Sequence, residues 1–157
     1  MNSNSGKIAY EIAELLKSGE YSFATVPAID FAWYVLQETK SVSNTIPAMT
    51  VVPQDPVITR DSLNTWQWEY QPFVWVRMKF PPFVSDDTDR TLIDSMSLLF
   101  EQIADRLRHH KIATTESNYE WNCTKVSFDP MFDLDMLDGH RIFSGYITTT
   151  YIGNGNE

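Results

Sequence analysis

Between Trp66 and Phe80 the apolar side chains fall on the even positions: Trp66, Trp68, Tyr70, Val74, Val76, Met78 and Phe80, interrupted only by Pro72. The odd positions are Gln67, Glu69, Gln71, Phe73, Trp75, Arg77 and Lys79. A period of two is what a strand with one buried face produces, so the pattern predicts a long aromatic strand whose even face is core. Phe73 and Trp75 break the polar face, and aromatics standing where solvent is expected mark a protein interface. With Arg77 and Lys79 beside them, Phe73, Trp75, Arg77 and Lys79 form the candidate subunit-contact surface.

Two segments change period to that of a helix. Ile8, Ile12, Leu15 and Leu16 predict a first helix after a frayed polar start over residues 1–6, closed at Gly19 by a left-handed cap. Ile93, Met96, Phe100, Ile103 and Leu107 step by three and four, with Leu92, Leu99 and Ala104 widening the stripe. Ser85-Asp86-Asp87-Thr88-Asp89 offers N-caps and negative charge at the positive end of that helix dipole; Arg106, Arg108, His109, His110 and Lys111 crowd its other end.

Further strands are predicted over Tyr21–Val26, over Met49–Val52 between Pro47 and Pro53, over Tyr119–Phe128 and over His140–Ile152. Residues 28–45 are ambiguous, Gln54-Asp55-Pro56 reads as a turn, Met131–Gly139 as an acidic loop and residues 153–157 as a mobile tail. The order α-β-β-β-α-β-β implies a single α+β domain: a mostly antiparallel sheet packed by two main helices. Trp68, Tyr70, Val74, Val76, Phe100, Ile103 and Leu107 are expected in its core.

Composition limits the function classes. The 157 residues suit one core, and 43% hydrophobic with 13% aromatic side chains is ample for burial. Twenty-one acidic against twelve basic residues leave a formal charge of −9, which argues against gripping phosphate or docking on anionic lipid. Cys123 is the one cysteine, so neither an internal disulfide nor a cysteine-based zinc site is expected. The polar start lacks a signal-peptide pattern and no window has the length to span a bilayer, so a protein of the cytosol, or assembled there, is expected.

Candidate chemistry is thin. Asp129, Asp133, Asp135 and Asp138 could converge on a hard cation, but a calcium loop's central glycine and closing glutamate are missing, which favours a solvated acidic loop. His109 and His110 are adjacent, so on a helix they diverge by about 100° rather than share a ligand. His140 stands beside Arg141 and takes no catalytic role; Cys123, with no basic activator indicated, reads as a half-buried structural thiol. No nucleophile-elbow, phosphate-loop or dinucleotide motif occurs. Trp66, Trp68, Trp75, Trp121 and Tyr151 could floor a ligand pocket or stack single-stranded bases, though Arg77 and Lys79 supply little charge for the latter.

With these residues in hand, the chain resembles the tail-completion proteins of long-tailed bacteriophages, of the tail-terminator type. The likeness rests on Met49-Thr50-Val51-Val52-Pro53, a turn and Arg60, the strand Trp68–Lys79, and Glu101-Gln102-Ile103-Ala104-Asp105 on the helix. It continues with Asp129-Pro130-Met131-Phe132, Leu137, Arg141-Ile142-Phe143-Ser144 and Thr149-Thr150-Tyr151. The chain departs from the pattern at Ile152 and after Lys79, where a closing arginine and paired lysines are usual. The resemblance implies a virion structural protein without catalysis or cofactor. It implies a ring, commonly of six subunits, assembled in the host cytoplasm, that ends the tail tube and meets the head connector. Its partners would be itself, the tail tube protein and the connector or neck protein, with DNA passing through unbound and no membrane involved. A neck or head-completion protein is the alternative within that class; a small acidic enzyme or ligand-binding domain is the alternative outside it.

Overall fold

The computed structural model describes residues 3–22, 28–31, 47–63, 65–113, 120–129 and 132–154. Along the chain they form α1 (Asn4–Lys17), β1 (Ala28–Phe31), β2 (Ala48–Val52), β3 (Val57–Ser62), β4 (Thr65–Tyr70) and β5 (Phe73–Lys79). There follow α2 (Asp86–Leu107), β6 (Lys111–Ala113), β7 (Glu120–Phe128), α3 (Leu134–His140) and β8 (Ile142–Asn154). The architecture is α+β in a single domain, with a curled, mostly antiparallel sheet of eight strands among the described residues. The expected strand over Tyr21–Val26 falls largely outside the described residues; β1 lies just beyond it and pairs with β2 in parallel.

The long aromatic strand is real, and Pro72 accounts for its interruption. Tyr70 pairs with Tyr151 and Phe73 with Thr148, so β4 and β5 lie end to end on β8 without any change of register. Between them Pro72 accepts from the Thr149 amide at 3.1 Å and from the Thr149 hydroxyl at 2.7 Å, but has no N–H to return. On the far side, Val52 pairs with Phe73 and Val57 with Glu69. Four residues, 53–56, therefore oppose three, 70–72, and the extra residue reverses which parity faces the core. Met49 and Val51 point inward from β2, whereas Ile58 and Arg60 share a face with Trp66 and Trp68 in β3 and β4. The run from Ala48 to Lys79 is thus one long hairpin.

Helices α1 and α2 cover the even face of this hairpin. Ile8, Ile12 and Leu16 from α1, and Met96, Leu99, Phe100, Ile103 and Leu107 from α2, are fully buried with Met49, Val74, Val76, Phe143, Ile147 and Tyr151. Trp68 packs on the edge of this core, stacking on Tyr70 at 6.3 Å, and Tyr70 meets Trp121 edge-on at 6.5 Å. Ser85 caps α2 by accepting from Thr88 N at 3.2 Å, with Asp86, Asp87 and Asp89 in the first turn.

Several local expectations are corrected. Helix α1 begins at Asn4, with Ser3 accepting from Gly6 N at 3.2 Å, so residues 4–6 belong to the helix. Gly19 is not left-handed; a Cβ there would come within 2.6 Å of Arg106 Nε, so the glycine leaves room for the Arg106 side chain as it stands. Arg106 reaches across from α2 to the Leu15 carbonyl at 3.1 Å, closing the end of α1. The acidic segment after Phe132 contains the short helix α3 rather than a loop throughout; β3 follows directly on the expected turn at Gln54-Asp55-Pro56, and Lys111, expected at the end of α2, begins β6. After Cys123 a bulge shifts the β7 register, leaving Lys125 exposed and Val126 packed against the core.

Gly153, expected in a mobile tail, sits in β8 opposite Trp121, whose ring lies where a Cβ would be, 2.7 Å away. Gly153→Val should therefore cost about 1–3 kcal/mol through overpacking, measurable as a lowered urea midpoint at unchanged m-value.

Acidification should also destabilise the fold, in two windows. Burial pushes the His110 pKa below its ordinary value, with Nδ1 2.8 Å from the Tyr151 hydroxyl. Hydrogen bonds from Arg141 hold the Asp89 carboxyl below the usual carboxylate range. Both folded values lie under the unfolded ones, so the unfolded chain takes up more protons and stability falls with pH. The His110 contribution is complete above the unfolded imidazole value and is lost as pH drops through the folded one; that of Asp89 follows in the carboxylate range. Melting temperatures measured from pH 7.5 to 3 should fall in both windows, and His110→Gln should flatten only the upper one.

Candidate functional site

The structure places the four expected interface residues on the sheet face opposite the helices, but it does not leave them as a surface. Trp75 is 1% exposed and Arg77 7% exposed, whereas Lys79 is exposed and Phe73 half-buried. The Trp75 indole N–H donates to Ser144 Oγ at 2.8 Å, and its ring stacks on Tyr146 at 6.5 Å. Arg77 lies 4.0 Å over the Trp75 ring and donates to Thr50 Oγ1 at 2.9 Å. Phe73 meets Tyr146 edge-on at 5.5 Å. These side chains form a second, partly polar packing layer inside the protomer, and the expectation of an exposed Trp75–Arg77 face is overturned. A cation over an aromatic ring, each also hydrogen-bonded to a hydroxyl, is a stabilising arrangement in a dry site.

The aromatic platform dissolves in the same way. Tyr151 and Trp121 are buried on the helix-covered face and Trp68 is part of its margin, while Trp75 belongs to the other face. Asp129, Asp135 and Asp138 are exposed, and Asp133 Oδ1 accepts from the Asp135 amide at 2.9 Å at the start of α3. No group of three or more His, Cys, Asp or Glu residues placed to hold a metal ion occurs among the described residues. The two adjacent histidines diverge: His109 is exposed with φ 65°, and His110 turns in to Tyr151. His140 is exposed at the end of α3. Burial raises the Cys123 thiol pKa, which makes it a poorer nucleophile. The Asp89 and Glu120 carboxyls are both held low by cations, Arg141 and Lys111, the opposite of the upward shift a general acid uses.

What the sequence reading missed lies at the other end of the long hairpin. Strand β8 stops pairing with β4 at Trp68, so among the described residues Thr65, Trp66 and Gln67 pair only with β3. At 3.3 Å per residue this tip reaches about 10 Å past the paired sheet. Every residue of β3 whose side chain is described is exposed. Val57 is 48%, Ile58 45%, Leu63 83% and Trp66 59% exposed, the last against the expectation that the whole even face is core. Arg60 pairs with Trp66 across the strands and bends back to the carbonyls of Ser62 and Leu63, and Ser62 and Thr65 join their hydroxyls at 2.7 Å. These contacts brace the turn, so the arm is a built element. Its apolar face is a continuation of the core face beyond the helices that would cover it. The legible signal was the β-branched run Val57-Ile58-Thr59, masked by the prolines and polar residues before it.

No family model matches the chain, and no curated protein sequence matches it. No helix among the described residues is long and apolar enough to cross a membrane.

Proposed function

We propose that the chain is a virion structural subunit of the tail-terminator type, acting as a ring that caps the head-proximal end of a phage tail tube and meets the head connector. The observation that carries this reading is the projecting β3–β4 arm, which offers Ile58, Leu63 and Trp66 to solvent from a rigid sheet. Exposed aromatic and aliphatic side chains clustered on an ordered element favour protein association over small-molecule chemistry, which needs a concave site. The order of short motifs shared with tail-completion proteins supplies the kind of assembly. A formal charge of −9 suits a ring through which DNA slides, since an acidic wall repels phosphate.

The test combines light-scattering molar mass with negative-stain imaging, alone and with polymerised tail tube protein. Rings with a central channel that sit on one end of each tube are the expected result. A species that stays monomeric at every attainable concentration and ignores tube ends would overturn the reading. Rings that bind a head connector but never a tube would assign the chain to the neck instead.

A further inference from the structure

The arm has a counterpart at the opposite end of the sheet. Lys79 pairs with Ile142 at the start of β8, and the chain then runs through Pro81 and Pro82 to Phe83, 61% exposed, and Val84, 76% exposed. This loop is clamped. Arg141, in a left-handed conformation with φ 57°, donates to the Pro81 carbonyl at 2.7 and 3.2 Å. It also grips Asp89 in the first turn of α2 with bonds of 2.6 and 2.8 Å, and lies 6.0 Å over the Phe83 ring. Immediately after Val84, the first turn of α2 exposes Asp86 and Asp87, the latter only loosely approached by Arg90 at 3.5 Å. Twelve steps of β8 separate this end from Asn154, roughly 40 Å at strand rise.

The molecule thus carries two unlike, rigidly mounted apolar points at the two ends of one long strand. One pairs its apolar residues with a cation, Arg60; the other precedes two exposed carboxylates, Asp86 and Asp87. We infer that they are the two halves of one head-to-tail contact: the β3–β4 arm of one copy seats Leu63 and Trp66 against Phe83 and Val84 of the next, with Arg60 facing Asp86 and Asp87. The occupant is a second copy of this chain. Unlike patches that fit each other generate a ring when the rotation closes and a filament when it does not. The apolar centre carries the affinity, and the charges set orientation and encounter rate. This inference rests on the ring reading above and names the surfaces that would build it.

The contact predicts a complementation whose product is smaller than the parent's assembly. Leu63→Glu/Trp66→Glu removes the arm, and Phe83→Ser/Val84→Glu removes the seat. All four positions are exposed, so both variants should keep the parent's circular dichroism; Val84→Asp alone and Trp66→Ala alone serve as milder versions. Each double variant should be monomeric by light scattering where the parent is oligomeric. Mixed one to one they should form a dimer and nothing larger, because only one working arm meets one working seat. Trp66→Ala alone should weaken self-association about thirty-fold or more, the range of a central aromatic anchor. Asp86→Lys/Asp87→Lys, which leaves the arm and its brace untouched, should weaken self-association and slow the encounter.

An arm or seat variant that oligomerises like the parent overturns the inference while leaving the ring standing. So does a mixture that stays monomeric beside an oligomeric parent. An arm variant that still forms rings but no longer binds tube ends would give the arm to the tube protein. A parent that is monomeric at every concentration and also ignores tube ends removes the ring and this contact together.

Discussion

Trp75→Glu should lose most of the protomer's folding stability. The indole is 1% exposed, stacks on Tyr146, carries the Arg77 guanidinium on its ring and donates to Ser144 Oγ. Truncating a buried Trp costs about 3–5 kcal/mol in packing alone, and a carboxylate in its place adds the desolvation of a charge in a site shaped for a ring. Arg77 could approach the new carboxylate, so Trp75→Gln, which keeps the shape and removes the charge, separates the two contributions. Urea unfolding should show a loss of at least about 3 kcal/mol for both, with the melting temperature down by roughly 6–12 °C or more. A Trp75→Glu protein as stable as the parent would mean that the second packing layer does not exist as described. A failure of this variant to assemble therefore says nothing about a subunit surface.

Phe100→Ala should cost about 3–5 kcal/mol by a different route. The ring is fully buried in the middle of α2 and touches Phe143 edge-on at 5.7 Å and Phe128 at 6.1 Å, joining the helix to β8 and β7. Its removal leaves a cavity between rigid elements that collapse only partly, and it also forfeits the aromatic pair contacts, worth about 0.5–1.5 kcal/mol beyond area. Phe100→Leu keeps much of the volume and should cost noticeably less. Equal losses for the two would point to the helix rather than the cavity as the cause; a loss under about 1 kcal/mol for Ala would contradict the burial itself. Because the arm and the Phe83–Val84 loop make none of these ring contacts, the surviving folded fraction should have the same molar mass in solution as the parent.

The period-two run and the stepping apolar stripe of α2 were enough to locate the elements that build the core. Tyr70, Val74, Val76, Phe100, Ile103 and Leu107 are all buried as their spacing required. Local signals of this sort are reliable because they come from the geometry of a single element: two residues per pleat, 3.6 per turn. Ser85 as a cap and the adjacent acids belong to the same class, since a helix terminus needs its partners within a few residues. Elements with weak or mixed local signals were not legible. β3 lies behind Pro53 and Pro56, and α3 is seven residues long, with its acidic sequence reading equally well as a loop.

By itself, then, the sequence determined which residues alternate, which step helically and that a mostly antiparallel α+β sheet must result. Only the tertiary structure decided what each face meets. Whether Trp75 is surface or interior depends on Tyr146 and Ser144 of β8, and on Thr50 of β2, which holds Arg77 over the indole; these strands are adjacent in space but far apart in order. Whether Trp66 is core or exposed depends on where β8 and the helices stop. Alternation reports that two faces differ; it carries no information on how far the covering elements extend. Burial is a property of the neighbours, and here the neighbours buried the face that looked free and left bare the end of the face that looked covered.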